Sequence, residues 1–178
     1  MGKVLFDASA IDRMLARIAH EIIEKNEDLS KVALVGVLRR GVPIACRIAE
    51  NTEKFAGVKL PVGKLDITLY RDDLSELSDM PEYKKSEIDF DINGKNIIIV
   101  DDVIFTGRTV RAAIDALLHE GRPKRIQFAA VVDRGHRELP IKPDYVGKNI
   151  PTSLSEKIAV KIPPYDAELC VEISPLDE

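Results

Sequence analysis

The chain has 178 residues, of which 45% are hydrophobic and 31% charged, values that exclude collagen-like and wholly disordered proteins. Its 26 Lys and Arg against 30 Asp and Glu give a net charge of −4, which excludes a protein that is basic all over but not one with a local basic patch. Two cysteines are too few for a disulfide framework, and no apolar run approaches the roughly 18 residues of a membrane span, so we predict a single cytoplasmic domain over residues 1–178.

The first predicted element is an amphipathic helix. Apolar residues recur at helical spacing from Ile11 to Ile23, and Ser9 with Asp12 predicts a capping box at the start. We expect the opposite stripe of this helix to face solvent. That outward stripe carries Arg13, Arg17, His20 and Glu24.

Strands and helices then alternate along the chain, a pattern that predicts right-handed βαβ units and a mostly parallel sheet covered by helices on both faces. A second helix begins near Pro43 and a third spans about residues 108–120. The predicted strands cover residues 32–38, 62–69, 96–100 and 126–132, followed by shorter ones at 157–162 and 169–173.

One connection is too long for an ordinary loop. Residues 71–91 are polar and charged and include Pro81. Connections of this length inside a compact domain are typically lids or disordered segments. We therefore predict either a lid or a disordered segment there.

Polar residues follow three of the predicted strands. Residues 39–41 are Arg-Arg-Gly, residues 101–102 are Asp-Asp, and residues 133–135 are Asp-Arg-Gly. Each alone is compatible with a solvated loop. Because ligands of parallel α/β sheets bind beyond the carboxyl ends of the strands, the three together favour a binding site.

The most specific segment is residues 97–109, where an apolar strand leads to Asp101 and Asp102 and a Thr-Gly turn opens directly into a helix. The N–H groups of that helix start, with the hydroxyls of Thr106 and Thr109, predict a phosphate site. Carboxylates accept hydrogen bonds from the hydroxyl groups of a sugar, so a ribose 5-phosphate fits both the carboxylate pair and the phosphate site. The alternative is an ordinary strand followed by a capped helix that binds no ligand. The sequence contains neither G-x-G-x-x-G, the motif of Rossmann dinucleotide sites, nor G-x-x-x-x-G-K-[ST], the motif of Walker phosphate loops. A phospho-acceptor receiver domain would need its acidic pair near the first strand, where Arg39 and Arg40 stand.

Residues 97–109 resemble the phosphoribosyl-diphosphate (PRPP) signature of the type I phosphoribosyltransferases. Segments 66–73, 132–140 and 145–153 are similar, more narrowly, to the bifunctional pyrimidine-operon regulators that also have uracil phosphoribosyltransferase activity. The resemblance spans nearly the whole chain. It departs at Ala16, where the family often has Thr, and at Phe105, which replaces a common Tyr.

The resemblance implies an α/β fold of the type I phosphoribosyltransferase class. Its central, mostly parallel sheet would be flanked by helices, with a small hood from the C-terminal segment and the flexible loop at about 71–91. The implied reaction is uracil plus PRPP giving UMP and diphosphate, with Mg²⁺ held mainly by PRPP and no dedicated protein metal site. It also implies a homodimer, with a tetramer as the larger assembly.

The resemblance further implies the roles of individual residues. Asp101 and Asp102 would be catalytic and hold the ribose, and Arg134 with Ile158 would contact uracil. Residues 39–41 would be the diphosphate loop, whose backbone in this family includes a non-proline cis peptide. The implied PRPP or nucleotide contacts are Arg39, Arg40, Gly41, Asp101, Asp102, Val103, Ile104, Phe105, Thr106, Gly107, Arg108 and Thr109.

An RNA function is implied in the same way. In this interpretation the protein binds the leader mRNA of pyrimidine biosynthetic genes in response to UMP and regulates their expression, as in transcription attenuation. The alternative is a plain salvage phosphoribosyltransferase for a pyrimidine or purine base, whose basic stripe is only solvated. The implied RNA-binding residues, called the basic surface below, are Arg17, His20, Arg137, Lys142 and Lys148.

Overall fold

The structure is a computed structural model that describes residues 2–72 and 86–176. The predicted lid loop lies largely outside these residues. Within them the chain forms eight strands, three α-helices and two short 3₁₀ turns at Leu29–Lys31 and Thr68–Tyr70. The strands and helices are β1 (Lys3–Phe6), α1 (Ala8–Lys25), β2 (Val32–Val37), α2 (Gly41–Ala56), β3 (Val62–Leu65), β4 (Asn96–Ile104), α3 (Arg108–Glu120), β5 (Arg125–Asp133), β6 (Tyr145–Asn149), β7 (Glu156–Lys161) and β8 (Cys170–Pro175).

The main sheet is parallel throughout and has the strand order β3-β2-β4-β5-β6. In its register Val35 lies between Gly63 on one side and Ile99 on the other. The chain moves from β2 to β3 in one direction and from β4 to β5 in the other. The carboxyl ends of β2 and β4 therefore flank the point where the strand order reverses, which is where such sheets bind ligands.

Helices cover both faces of this sheet. Ile98 and Val100 of β4 pack in the core layer beneath α1 and α2, whereas Ile97 and Ile99 pack in the layer beneath α3. All four are fully buried. A strand covered on both faces needs apolar residues at every position, which explains its uninterrupted apolar run. The predicted α/β class with a mostly parallel, helix-flanked sheet is confirmed.

A second, smaller sheet is antiparallel and has the order β1-β8-β7. Ile173 in its central strand pairs with Lys3 on one side and Ile158 on the other. This sheet corresponds to the hood implied by the family resemblance. Its third strand comes from the start of the chain, which the sequence analysis did not predict.

Several element boundaries differ from the predicted ones. Helix α1 begins one residue before Ser9, and its cap is Asp7, whose carboxylate accepts a 2.8 Å hydrogen bond from the N–H of Ala10; the predicted capping box was wrong. Strand β3 ends at Leu65, and β4 continues past its predicted end to Ile104. None of the helices within residues 2–72 and 86–176 has the length and apolar character needed to cross a membrane.

Candidate functional site

Two adjoining cavities open at the carboxyl ends of β2 and β4. The larger, about 680 Å³, brings together the predicted residues Arg39, Arg40, Asp101 and Asp102. The smaller, about 460 Å³, surrounds the start of α3. Four residues line both cavities, so the two form one continuous site. These shared residues are Arg71, Asp101, Val103 and Thr109.

Asp101 and Asp102 are held by the backbone of β4. Oδ1 of Asp101 accepts a 2.9 Å hydrogen bond from the N–H of Asp102, and Oδ1 of Asp102 accepts a 2.7 Å bond from the N–H of Val103. Asp101 is only 9% exposed. Burial first, and the neighbouring Asp102 second, raise the pKa of Asp101 well above its usual value. Burial also raises the pKa of Asp102.

The turn between β4 and α3 leaves a helix start open to a ligand. Gly107 is the N-cap of α3, its φ of +96° lies in the left-handed region that favours glycine, and it has no side chain with which to cap the helix. The hydroxyl of Thr106 accepts a 3.3 Å bond from the N–H of Arg108. Uncapped N–H groups at a helix N-terminus are the usual ligands of a phosphate. Below, residues 105–109 are called the phosphate loop.

The side chain of Arg108 is bound to carboxylates on two other segments. Its Nε donates to Glu138 at 2.6 Å and its Nη1 donates to Asp72 at 2.8 Å. Both partners raise the pKa of the Arg108 guanidinium. The phosphate loop is thereby tied to the residue that precedes the undescribed part of the lid segment.

The loop after β2 faces the aspartates across the larger cavity. The peptide bond between Leu38 and Arg39 is cis, as the family resemblance implies. Gly41 begins α2 against β4, and a Cβ atom at this position would overlap the carbonyl oxygen of Val100. A residue without a side chain is therefore required for this loop to approach β4.

The predicted uracil residues lie away from the lining of the two cavities. The buried guanidinium of Arg134 lies 4.1 Å from the ring centroid of Phe105 and donates to Thr152, Ser153 and Glu156. It therefore joins the phosphate loop to the segment that precedes β7. Ile158, 6% exposed, packs in the apolar core.

The predicted basic surface is brought together only in part. Arg17 donates to the carbonyl oxygens of Val146 and Gly147 in β6, which places it beside exposed Lys148. His20 is exposed on α1 and stacks on Phe55 with 4.1 Å between the ring centroids. Lys142 is also exposed.

Arg137 differs from the other members of the basic surface, because its side chain is only 23% exposed. It donates to the carboxylate of Asp133 at 2.6 Å and to the carbonyl oxygens of Ile141 and Phe105, both at 2.8 Å. Its hydrogen-bonding groups are thus used within the fold.

Sequence reasoning did not single out several residues of this site. Asp66 and Thr68 line the larger cavity after β3, where Oδ1 of Asp66 accepts bonds from the N–H and hydroxyl of Thr68. The predicted strand over residues 62–69 placed Asp66 inside a strand, whereas β3 ends at Leu65 and leaves Asp66 just beyond the strand end. Tyr165 also lines this cavity, but it comes from the connection between β7 and β8, and nothing in the local sequence indicates that.

Two carboxylates of the site could contact a metal ion. Among the described residues there is no group of three or more His, Cys, Asp or Glu that could hold a metal ion. Asp101 and Asp102 still offer carboxylate oxygens, the ligands that Mg²⁺ prefers alongside water and phosphate oxygens. These two residues could complete the coordination of a substrate-borne Mg²⁺, directly or through water.

Comparison with known proteins gives consistent matches over almost the whole chain. A family model of the phosphoribosyl transferase domain matches residues 3–167. A protein of Caldicellulosiruptor saccharolyticus named Bifunctional protein PyrR is 59% identical over 175 residues, which cover 98% of this chain and 96% of that protein. The protein of the same name from Acetivibrio thermocellus is 58% identical over 174 residues, covering 98% and 95%.

Solved structures of more distant proteins share the fold. A hypoxanthine-guanine phosphoribosyltransferase of Bacillus anthracis superposes with a TM-score of 0.71 at 20% identity and covers 99% of both chains. The hypoxanthine phosphoribosyltransferase of Trypanosoma cruzi gives a TM-score of 0.71 at 18% identity, covering 98% of this chain and 97% of that one. At such identities the likeness extends to the fold alone.

Proposed function

The chain belongs to the phosphoribosyltransferase family, within it to the group of bifunctional PyrR proteins, and from that premise we propose that it is a UMP-responsive RNA-binding regulator of pyrimidine biosynthetic genes with uracil phosphoribosyltransferase activity. The reaction joins uracil to the ribose of PRPP, forming UMP and releasing diphosphate. The observation that carries the proposal is the pairing, at one strand end, of two adjacent carboxylates with a helix start whose N-cap is a glycine. This pairing matches the hydroxyl groups and the 5′-phosphate of one ribose phosphate.

In this mechanism the phosphate loop binds the 5′-phosphate of PRPP. The N–H groups at the start of α3 and the hydroxyls of Thr106 and Thr109 donate to its oxygens. Binding at both ends holds the ribose in one orientation, because Asp101 and Asp102 accept from its hydroxyl groups. Holding both reactants in place is a main contribution that such a site makes to the rate.

The bond between ribose and diphosphate breaks with positive charge developing on the ribose ring. When ionised, the carboxylates of Asp101 and Asp102 stabilise that positive charge, while Arg39, Arg40 and the backbone at Gly41 bind the negative diphosphate. Mg²⁺ held by PRPP supplies further neutralisation of diphosphate charge when it is bound. Preorganised charges of this kind stabilise a transition state without a covalent nucleophile.

Uracil would enter between the phosphate loop and the small sheet. Arg134 supports this side of the site, because its guanidinium lies over the ring of Phe105 and donates to Thr152 and Glu156. We assign Arg134 and Ile158 to the surroundings of the base, with Ile158 acting through the packing of β7. Backbone groups near these residues would then read the edge of the base.

The RNA function is assigned to the basic surface. Arg17 and Lys148 are neighbours through the bonds of Arg17 to β6, and His20 extends this surface along α1. Basic side chains of this kind neutralise RNA phosphates and read unpaired bases. We propose that the protein is a cytoplasmic homodimer, two of which can pair to form a tetramer. Each homodimer would present two such surfaces to the leader RNA.

Two measurements test this function together. Uracil, hypoxanthine, guanine, adenine and orotate are each supplied with PRPP and Mg²⁺, and we expect efficient turnover of uracil alone, since a site built on hydrogen bonds rejects mismatched edges. A gel-shift titration with pyrimidine leader RNA is then run with and without UMP, and UMP should tighten binding. Efficient use of a purine, or no RNA binding in either condition, would make the protein a plain salvage enzyme.

A further inference from the structure

The structure ties the diphosphate loop to the small sheet through one ion pair. Nε and Nη2 of Arg40 donate to Oδ2 and Oδ1 of Asp166, each at 2.9 Å. This is the bidentate geometry in which an Arg–carboxylate pair is strongest and most directional. Asp166 lies in the connection between β7 and β8, 126 residues away from Arg40 along the chain.

Asp166 is itself held firmly. Its Oδ2 also accepts a 3.0 Å bond from the N–H of Ile162, and its own N–H donates to the carbonyl of Ile162 at 3.1 Å. Ile162 is fully buried. The Asp166 side chain is only 15% exposed, and the Arg40 guanidinium lowers the pKa of this carboxyl group, which keeps it ionised. The carboxylate of Asp166 is therefore held in place within the connection between β7 and β8.

Arg40 reaches the site from this carboxylate. Arg40 and Tyr165 line the larger cavity together with Asp102. Among the described residues, Nη1 of Arg40 has no acceptor, because both bonds to Asp166 use Nε and Nη2. The donors of Nη1 are thus available to an anion in the cavity, while the other edge of the guanidinium is held in place.

We propose that Asp166 is a positioning residue for diphosphate recognition, which acts by orienting the guanidinium of Arg40. This inference rests on the proposed function, in which residues 39–41 bind diphosphate. It makes the small sheet a determinant of how PRPP and diphosphate bind. UMP carries no diphosphate, so its binding should not depend on the pair.

The experiment compares Asp166→Asn with the parent in four measurements: the KM for PRPP, kcat, inhibition by diphosphate, and the Kd of UMP. Because Asn cannot accept both bonds and carries no charge, we expect the KM for PRPP and the inhibition constant of diphosphate to rise about tenfold, with the Kd of UMP within about twofold of the parent. Asp166→Glu should recover part of the diphosphate affinity. Glu172→Gln is the matched control, because it removes another carboxylate of the same sheet, paired with Lys161 at 2.8 Å, without touching Arg40.

A double variant separates positioning from a general loss of structure. If Asp166 acts through Arg40, Asp166→Asn should have no further effect on diphosphate inhibition in a protein that already carries Arg40→Ala. Equal losses of diphosphate and UMP binding, or additive effects in the double variant, would overturn the proposal. A parent protein that does not form UMP at all would instead overturn the proposed function, and the two failures are therefore distinguishable.

Discussion

The carbonyl oxygen of Phe105 accepts a 2.8 Å hydrogen bond from Nη1 of Arg137. The N–H groups of Glu138 and Leu139 also donate to the carbonyl oxygen of Thr106, at 2.9 and 3.1 Å, and so join the same two segments. The phosphate loop is thus fastened directly to the segment that continues into Lys142 and Lys148. If nucleotide binds at the phosphate loop and RNA at the basic surface, as proposed above, this connection is a physical route by which one ligand changes the binding of the other.

Arg137→Ala should therefore impair both functions. Removing the guanidinium frees the Phe105 carbonyl and leaves Asp133 without its ion pair, so we expect weaker UMP binding and a smaller effect of UMP on RNA affinity. Couplings between sites of this kind are typically about 1–3 kcal/mol. RNA titrations with and without UMP, with calorimetry for UMP itself, measure the loss.

Lys148→Ala is the control for that experiment, because Lys148 is exposed and, in the described part of the chain, makes no hydrogen bond to the phosphate loop. It should weaken RNA binding and leave the response to UMP intact. An Arg137 variant that lost RNA affinity but kept the full response to UMP would show that Arg137 only contacts RNA.

Asp101→Asn and Asp102→Asn should each lower the rate of UMP synthesis at least tenfold. A hydrogen bond to a charged group contributes roughly 1.5–3 kcal/mol, and both changes keep the side-chain shape while removing its charge. Steady-state kinetics with uracil and PRPP test this expectation. Asp115→Asn on the exposed side of α3 is the control, since Asp115 pairs only with Arg111 among the described residues. If both variants kept the parental rate, these carboxylates would have no part in the reaction.

Ionisation of Asp101 should lower the free energy of unfolding as the pH rises. The pKa of Asp101 is raised by its burial and by Asp102, so above its unfolded value of about 3.9 the folded chain binds more protons than the unfolded chain. The free energy of unfolding then decreases with rising pH until the raised pKa is passed. Asp101→Asn removes that loss, so its stability relative to the parent should increase as the pH rises above about 4, until the raised pKa of Asp101 is passed.

Urea unfolding without PRPP or Mg²⁺ measures this difference at each pH. The result would pair higher stability with lower activity in one variant, as expected for a charge buried for function. A parent that gained stability over the variant as the pH rose would contradict the argument.

Replacing Arg17 and His20 together by Ala should reduce RNA affinity and leave uracil turnover close to that of the parent. Both residues are exposed on α1, and surface changes usually alter stability by about 0.5 kcal/mol or less. If Arg17 contacts a phosphate, the dependence of log affinity on log salt should flatten by roughly one unit. Filter binding at several salt concentrations gives this slope.

Arg47→Ala provides the matched control, because Arg47 is another surface arginine. It pairs with Asp12 at 2.8 Å and is not among the predicted RNA contacts. It should leave the slope unchanged. Parental RNA binding by the double variant at every salt concentration would remove α1 from the RNA interface.

Sequence reasoning succeeded where local signals and fold agreed. Helix α3 has its predicted bounds, because the Thr-Gly turn before it and Gly121 after it mark both ends. Strands β1 and β6 were not predicted. β6 contains Gly147, and its extended form depends on pairing with β5, a contact that local propensity does not encode.

In the site, the residues that are close in sequence were predictable, whereas those brought together by the tertiary fold were not. Asp101, Asp102 and the phosphate loop form one continuous motif, so their proximity follows from the chain itself. Asp166 and Tyr165 come from the far end of the chain, and only the tertiary fold brings them to Arg40. The connection made by Arg137 was likewise hidden, since an arginine in a basic segment is equally compatible with solvent and with a buried ion pair.

The small sheet also sets an order of events during synthesis. Strands β2 to β6 can complete the main sheet once residue 149 has emerged, and domains generally begin to fold while the chain is being made. β1 is made first, yet its neighbour β8 is the last strand of the described chain. Arg40 can likewise form its ion pair only after Asp166 has been synthesised. A nascent chain can therefore form the strand that carries Asp101 and Asp102 before Arg40 acquires its partner Asp166.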